Sequence, residues 1–103
     1  MGFKYSSVIT KPNADVKFFS EAYPSEFNTL IDWWKSQPGY VSGSGKWDVN
    51  PDNPNEFLIE HTWDSRESWL SAAKLAQSLN EAKISNQHSL DNNIYAMKSL
   101  SDF

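Results

Sequence analysis

The stretch Glu56-Phe57-Leu58-Ile59-Glu60-His61-Thr62-Trp63-Asp64-Ser65-Arg66-Glu67-Ser68-Trp69 holds a strand, a helix start and the boundary between them. Side chains alternate along an extended chain, so Phe57, Ile59, His61 and Trp63 share one face and Leu58, Glu60 and Thr62 the other. Asp64-Ser65-Arg66-Glu67 then reads as a capping box, with Asp64 placed to accept the third helical N–H and Glu67 to reach back. Upstream, Asn50-Pro51-Asp52-Asn53-Pro54-Asn55 is turn chemistry, which joins Glu56–Trp63 to an earlier strand, Tyr40–Val49, as an antiparallel hairpin. Val41, Trp47 and Val49 fall on one face of that earlier strand. Ser42-Gly43-Ser44-Gly45 in its middle marks a bulge, or a place where a ligand or another backbone comes close.

Working outward, Pro24-Ser25-Glu26 opens a helix, since proline fits the first turn and acids favour the positive end of the dipole. Phe27, Leu30, Ile31 and Trp34 follow at the spacing of one apolar stripe, with Trp33 off it and available for an additional contact surface. Gln37-Pro38-Gly39 stops this helix. Phe3–Thr10 reads as a first strand, with Tyr5, Ser7 and Ile9 on one face and Lys11-Pro12-Asn13 closing it. Residues 12–23 carry Val16, Phe18 and Phe19 and are expected to form an ordered connection packed on the body. After the hairpin, a helix from Ser65 to at least Leu79 shows Trp69, Ala72, Ala73, Ala76 and Leu79 on one face. Asn80 to Asn93 is ambiguous: Ala82, Lys83 and Ile84 could continue the helix, whereas Asn86, Ser89, Asp91 and Asn92 argue for an end. Ile94–Leu100 reads as a last strand. The order is β-α-β-β-α-β, which predicts an α+β, ferredoxin-like domain spanning 1–103 with a four-stranded antiparallel sheet.

Composition narrows the function. The chain has 103 residues, 13 acidic against 9 basic, and a formal charge of -4. Arg66 is its single arginine, so a polyanion binder is not expected: neither a nucleic acid nor an anionic membrane surface finds a basic footprint here. There is no cysteine, which removes thiolate metal sites, disulfides and cysteine nucleophiles together. No apolar run approaches a membrane span, and Met1-Gly2-Phe3-Lys4-Tyr5 lacks the apolar core of a signal peptide, so a cytoplasmic location is expected. Aromatic residues make up 15% of the chain, five of them tryptophans. That much ring area in a small chain points to an interface, an apolar pocket, or both.

Pro38-Gly39-Tyr40 at the helix-to-strand corner, Phe57-Leu58-Ile59, and Trp63-Asp64-Ser65-Arg66-Glu67-Ser68-Trp69 together resemble the dimeric α+β barrel superfamily, in particular the small proteins like the antibiotic biosynthesis monooxygenases. The resemblance in element order covers nearly the whole chain. It implies a homodimer in which the exposed faces of two sheets pack together as an α+β barrel. Leu58 against Phe57 and Ile59, and Tyr95 and Met97 against Ile94 and Ala96, supply the two apolar faces such an assembly needs. It also implies a cavity in each subunit between sheet and helices. Candidates to line it are Tyr5, Ser7, Trp34, His61, Trp63, Trp69, Ala73 and Tyr95, although rings at regular spacing ordinarily just fill a core. In haem-degrading members a helical tryptophan is followed ten residues on by the iron-ligating histidine. Trp69 matches that tryptophan, but Leu79 stands in the histidine's place, and Ser6 and Ser7 stand where the first strand would carry an asparagine. Haem is therefore not expected.

His61 is the foremost titratable candidate, because a partly desolvated imidazole between Ile59 and Trp63 can act as a base near neutral pH. The alternative is a packed, hydrogen-bonded histidine. His88 lies in the polar stretch after the second long helix and reads as a solvated side chain. Two histidines with no H-x-x-H or H-E-x-x-H spacing do not make a zinc site, and Gly43-Ser44-Gly45 lacks the rest of a phosphate-binding loop, so neither a metal nor a cofactor is expected. The function expected is binding of a small, largely apolar organic molecule. If it is catalytic, the chemistry is cofactor-independent oxygenation or proton transfer, with His61 as base and Tyr5 or Tyr95 as its hydrogen-bond partner. Alternatives are a non-enzymatic module carrying an acyl chain, and a structural dimer with a filled core.

Overall fold

In the computed structural model, which describes residues 1–103, the first strand β1 spans Phe3–Thr10 and lies in the middle of the sheet. Its inward residues Phe3, Tyr5, Ser7 and Ile9 stand opposite Trp63, His61, Ile59 and Phe57 of β3 (Asn53–Trp63). Every one of these side chains points toward the helices, so the period-two reading of both strands fixes the face of the site as well as the register. β2 (Lys46–Asn50) flanks β3 and β4 (Tyr95–Asp102) flanks β1, giving the antiparallel order β2-β3-β1-β4. The predicted α+β, ferredoxin-like arrangement with a four-stranded antiparallel sheet is thus the one found, built with four helices rather than two.

The extra helices occupy the two segments whose polarity obscured them. In the connection after β1, Lys11 is buried, with Nζ donating to the carbonyl of Val16 at 2.7 Å and lying 4.8 Å over the ring of Phe18. Phe18 is buried too and precedes a short helix, α1 (Phe19–Ala22), whose Glu21 carboxylate accepts the Phe18 N–H at 3.0 Å. α2 (Pro24–Lys35) begins at its proline as expected. Trp33 does not offer an outward surface: it is half-buried, packed against the cluster of Phe3, Trp63 and Ala72 and edge-on to Trp34.

The helix after β3 is α3 (Arg66–Ala76), one turn shorter than expected. Its N-cap is Ser65 rather than Asp64, with Ser65 Oγ accepting the Ser68 N–H at 3.2 Å. Asp64 is tied to the strand side of the boundary, its N–H donating to the carbonyl of Gly39 at 2.8 Å. Ser78 ends α3, its N–H and hydroxyl both donating to the Leu75 carbonyl. The ambiguous residues then form a separate helix, α4 (Asn80–Asp91), which packs on α1 and α2. His88 fastens it there: its Nε2 donates to the Lys17 carbonyl at 2.7 Å, while Nδ1 faces the Asn92 amide at 3.3 Å.

The strand expected over Tyr40–Val49 is shorter. Tyr40 forms only an isolated bridge to Trp63, and regular pairing begins at Lys46. Between them Ser44 takes the place of a paired backbone: its hydroxyl accepts the Thr62 N–H at 3.0 Å and donates to the Val41 carbonyl at 2.7 Å. Gly43 turns the chain there with φ 79°, a left-handed conformation that glycine adopts without steric cost. All eight residues of β4 are exposed; it is an edge strand paired only with β1. No helix is long and apolar enough to cross a membrane.

Candidate functional site

His61 lies at the centre of the sheet, 2% exposed, sandwiched between two rings that are nearly parallel to it. Tyr5 is its partner across the β1–β3 ladder, and Trp47 reaches in from β2; each ring centroid is 4.9 Å from the imidazole at an angle of 18°. Trp69 of α3 extends the stack beyond Tyr5 at 5.4 Å, and Trp34 of α2 tilts over the imidazole at 5.9 Å. The stack follows from sequence parity, since Tyr5, Trp47 and His61 all fall on the helix-facing side of their strands.

Two residues along the same strand, Trp63 is fully buried and donates its indole N–H to His61 Nδ1 at 2.6 Å. That bond decides the chemistry of the ring. An imidazole nitrogen that accepts a hydrogen bond carries no proton, so the neutral ring bears its proton on Nε2, the nitrogen with no protein partner. Burial also lowers the pKa from 6.5 to about 4, so the ring is neutral at physiological pH. The base role expected for His61 does not fit this arrangement: its basic nitrogen is already engaged, and what it presents is an N–H donor.

Beside the stack is a cleft between the sheet and α2, α3 and α4, with two overlapping lobes. One, of about 360 Å³, is bounded by Tyr5, Trp34, Trp47, His61, Trp69 and Ala73, with Asn86 and Lys98 at its polar side. The other, of about 350 Å³, shares Tyr5, Trp34 and Lys98 and continues past Ser7 to Ile94. An adjoining apolar chamber of about 110 Å³ runs deeper, between Phe18, Phe27, Ile31 and Phe57. Ala73 and Ala76 on α3 and Ala82 on α4 leave the room, because a bulkier side chain at any of them would fill it. Burial pushes the Tyr5 phenol above its usual range; the nearby Ser7 hydroxyl opposes that shift, although the two are not joined in hydrogen-bond geometry.

The cleft therefore brings together Tyr5, Trp34, His61, Trp69 and Ala73, with Ser7 in its second lobe. It does not take in Trp63, which belongs to the core with Phe3 and Ala72 and acts on the site only through His61. Tyr95 is set apart as well. It pairs with Thr10 on the opposite parity, is 58% exposed, and borders only the far lobe, with no ring contact to His61. Two lining residues, Trp47 and Lys98, were not singled out from the sequence. Parity carried the signal for both: Trp47 is aligned with Ile59, and Lys98 with Ser7.

Around Gly45 the packing is tight. A Cβ at this position would collide with Trp47 Nε1 and the Tyr40 hydroxyl, so the glycine lets both rings close on His61. Both polar atoms are buried without a hydrogen-bond partner, as is Ser7 Oγ. No three His, Asp or Glu side chains are gathered to hold a metal ion.

Fold and cleft together define the class: an α+β protein whose sheet forms the floor of an aromatic-walled cleft roofed by helices. No protein family's sequence profile matches the chain, and no curated protein matches it in sequence. Solved structures do match it in fold. SnoaB, a cofactor-independent oxygenase from Streptomyces nogalater, superposes with a TM-score of 0.65 at 13% identity, over 99% of this chain and 92% of that one. An antibiotic biosynthesis monooxygenase matches with a TM-score of 0.63 at 14% identity, over 100% and 98% of the two chains. A conserved protein from Methanosarcina mazei Go1 matches with 0.68 at 9% identity, over 98% and 92%. The chain has the ferredoxin-like fold of the antibiotic biosynthesis monooxygenase-like proteins. At these identities the likeness concerns the fold, and the chemistry has to be argued from the site.

Proposed function

We propose that this protein binds a small, largely apolar organic molecule in the cleft, with the His61 N–H as a hydrogen-bond donor to an oxygen of that molecule. The observation that carries the reading is the engagement of Nδ1 by Trp63, which leaves the imidazole with one free nitrogen, an N–H donor, among stacked rings. That N–H has no partner within the protein, and a ligand carbonyl or phenolic oxygen would accept from it. Native mass spectrometry of the freshly purified protein, repeated after denaturation, tests this. The expected result is an extra apolar mass lost on denaturation; a bare protein that also takes up no member of an apolar ligand library would refute it.

A second reading follows from the description of SnoaB as a cofactor-independent oxygenase. Here the bound molecule is an enolisable substrate that loses its C–H proton to solvent; the His61 N–H stabilises negative charge on the enolate oxygen, and the carbanion carbon adds to molecular oxygen, the oxidant, to give a peroxide that takes a proton back from solvent. Donors aimed at developing charge in a water-poor site are effective in this role. Incubating the recovered ligand with the protein under ¹⁸O₂ separates the readings: label in the product supports catalysis, and unaltered ligand supports a carrier.

The outer face of the sheet supports the homodimer proposal. Val8 is aligned with Leu58 on one side and Met97 on the other, forming an apolar row across three strands, and Met97 is 70% exposed. Sedimentation should give a dimer that Leu58→Asp dissociates; a monomeric native protein would refute this.

A further inference from the structure

The cleft contains one charge. Lys98 borders both lobes, and neither has an aspartate or glutamate in its lining. The protein's two ion pairs, Lys4 with Glu60 and Arg66 with Asp102, do not include it. In a chain with 13 acids against 9 bases, the two lobes are nonetheless lined by this one cation and by no carboxylate. Its register explains the isolation. Lys98 stands on the helix-facing side of β4, aligned with Ser7 of β1, whereas Glu56 and Glu60 lie on the opposite face with Leu58.

Ser7 is the second observation. It is 3% exposed, and its hydroxyl is buried without a hydrogen-bond partner while bordering the same lobe. Buried hydroxyls nearly always find a partner, so one that does not is an unfilled position. Lys98 and Ser7 are aligned across the β1–β4 ladder and border the same lobe, so an ammonium and a hydroxyl, donors of different kinds, stand on neighbouring strands there. Beyond them lie the rings of Tyr5 and Trp34 and then the apolar chamber of Phe27 and Phe57.

We propose that the ligand of this cleft is an apolar carboxylic acid bound as its anion, with Lys98 and Ser7 receiving the carboxylate and the aromatic walls receiving the body. This rests on the reading of the cleft as a binding site and names the ligand's chemical class. Lys98 is then the residue that selects acids over neutral molecules of the same shape, since charge-assisted hydrogen bonds exceed neutral ones in strength.

The test is titration calorimetry at low ionic strength with 2-naphthoate and 2-naphthamide, which share a shape and differ in charge. The naphthoate should bind about tenfold more tightly or better, with the advantage shrinking as salt is added. Lys98→Met, which keeps the aliphatic stem, should abolish the advantage so that the two compounds bind alike; Lys98→Glu should reverse the preference. Equal binding of both compounds to the native protein, or an advantage that survives in Lys98→Met, would overturn the carboxylate assignment and leave the cleft reading standing. Failure of both compounds to bind would overturn the cleft reading and this assignment with it.

Discussion

Acidification should destabilise the protein through one side chain. His61 is unprotonated in the folded state down to a pKa of about 4, against 6.5 for the free ring, so between those values the unfolded chain takes up a proton that the folded one refuses. Stability from this source is complete above the unfolded pKa and is lost as pH falls toward the folded one. Integrating the proton difference gives a loss of about 2 kcal/mol by about pH 5 and about 3 kcal/mol by about pH 4, relative to neutral pH. Urea unfolding across this range, at fixed protein concentration, should be compared between the native protein and His61→Gln. The amide keeps an acceptor for the Trp63 indole and removes the titration, while His88 and the carboxylates are common to both proteins and cancel in the difference. The native protein should lose about 2 kcal/mol more than the variant between neutral pH and about pH 5. Parallel curves for the two proteins would refute the claim that the imidazole is held neutral by burial.

Further outcomes follow from individual contacts. Trp63→Phe removes the indole donor from a fully buried position and should cost about 3 kcal/mol in urea unfolding. It should also free His61 to sample both neutral tautomers, read from its ¹⁵N chemical shifts. Gly45→Ala should displace Trp47 and Tyr40 from His61 at a cost of about 1–3 kcal/mol, seen as loss of near-ultraviolet circular dichroism. Ser65→Ala should cost about 1 kcal/mol by stripping the cap of α3, whereas Asp64→Ala should leave the Ser65 cap intact, and helix amide exchange near Ser68 distinguishes the two.

Much of the frame was legible because it rests on short periods. Alternation in Phe3–Thr10 and Glu56–Trp63 placed both central strands and grouped His61 with Phe57, Ile59 and Trp63 on one face, while which face turns toward the helices is given only by the packed structure. The polar helix α4 was not legible, since it lies against α1 and α2 with part of its surface over an open cleft and needs no continuous apolar stripe. The loop after Tyr40 escaped because a serine hydroxyl, rather than backbone, satisfies Thr62. The cap of α3 shifted by one residue because Asp64 and Ser65 are both good caps, and a bond from Gly39 decided between them. For the site, position was readable and role was not. A histidine with an aromatic neighbour two residues on is compatible with a base or with a donor, and only the direction of the indole N–H separates them. Lys98 was passed over because a lysine on an exposed edge strand ordinarily serves solubility.

The bond between Trp63 and His61 joins two residues of one strand, whose pleat sets the two side chains on the same face. Helices α2, α3 and α4 supply the roof of the cleft, whereas a bond within β3 sets which nitrogen of the imidazole holds its proton. Shape tolerance and polarity are thereby assigned to separate parts of the molecule. Replacements among the alanines of the roof would redraw which molecules fit, while the atom that greets them from the floor would stay the same.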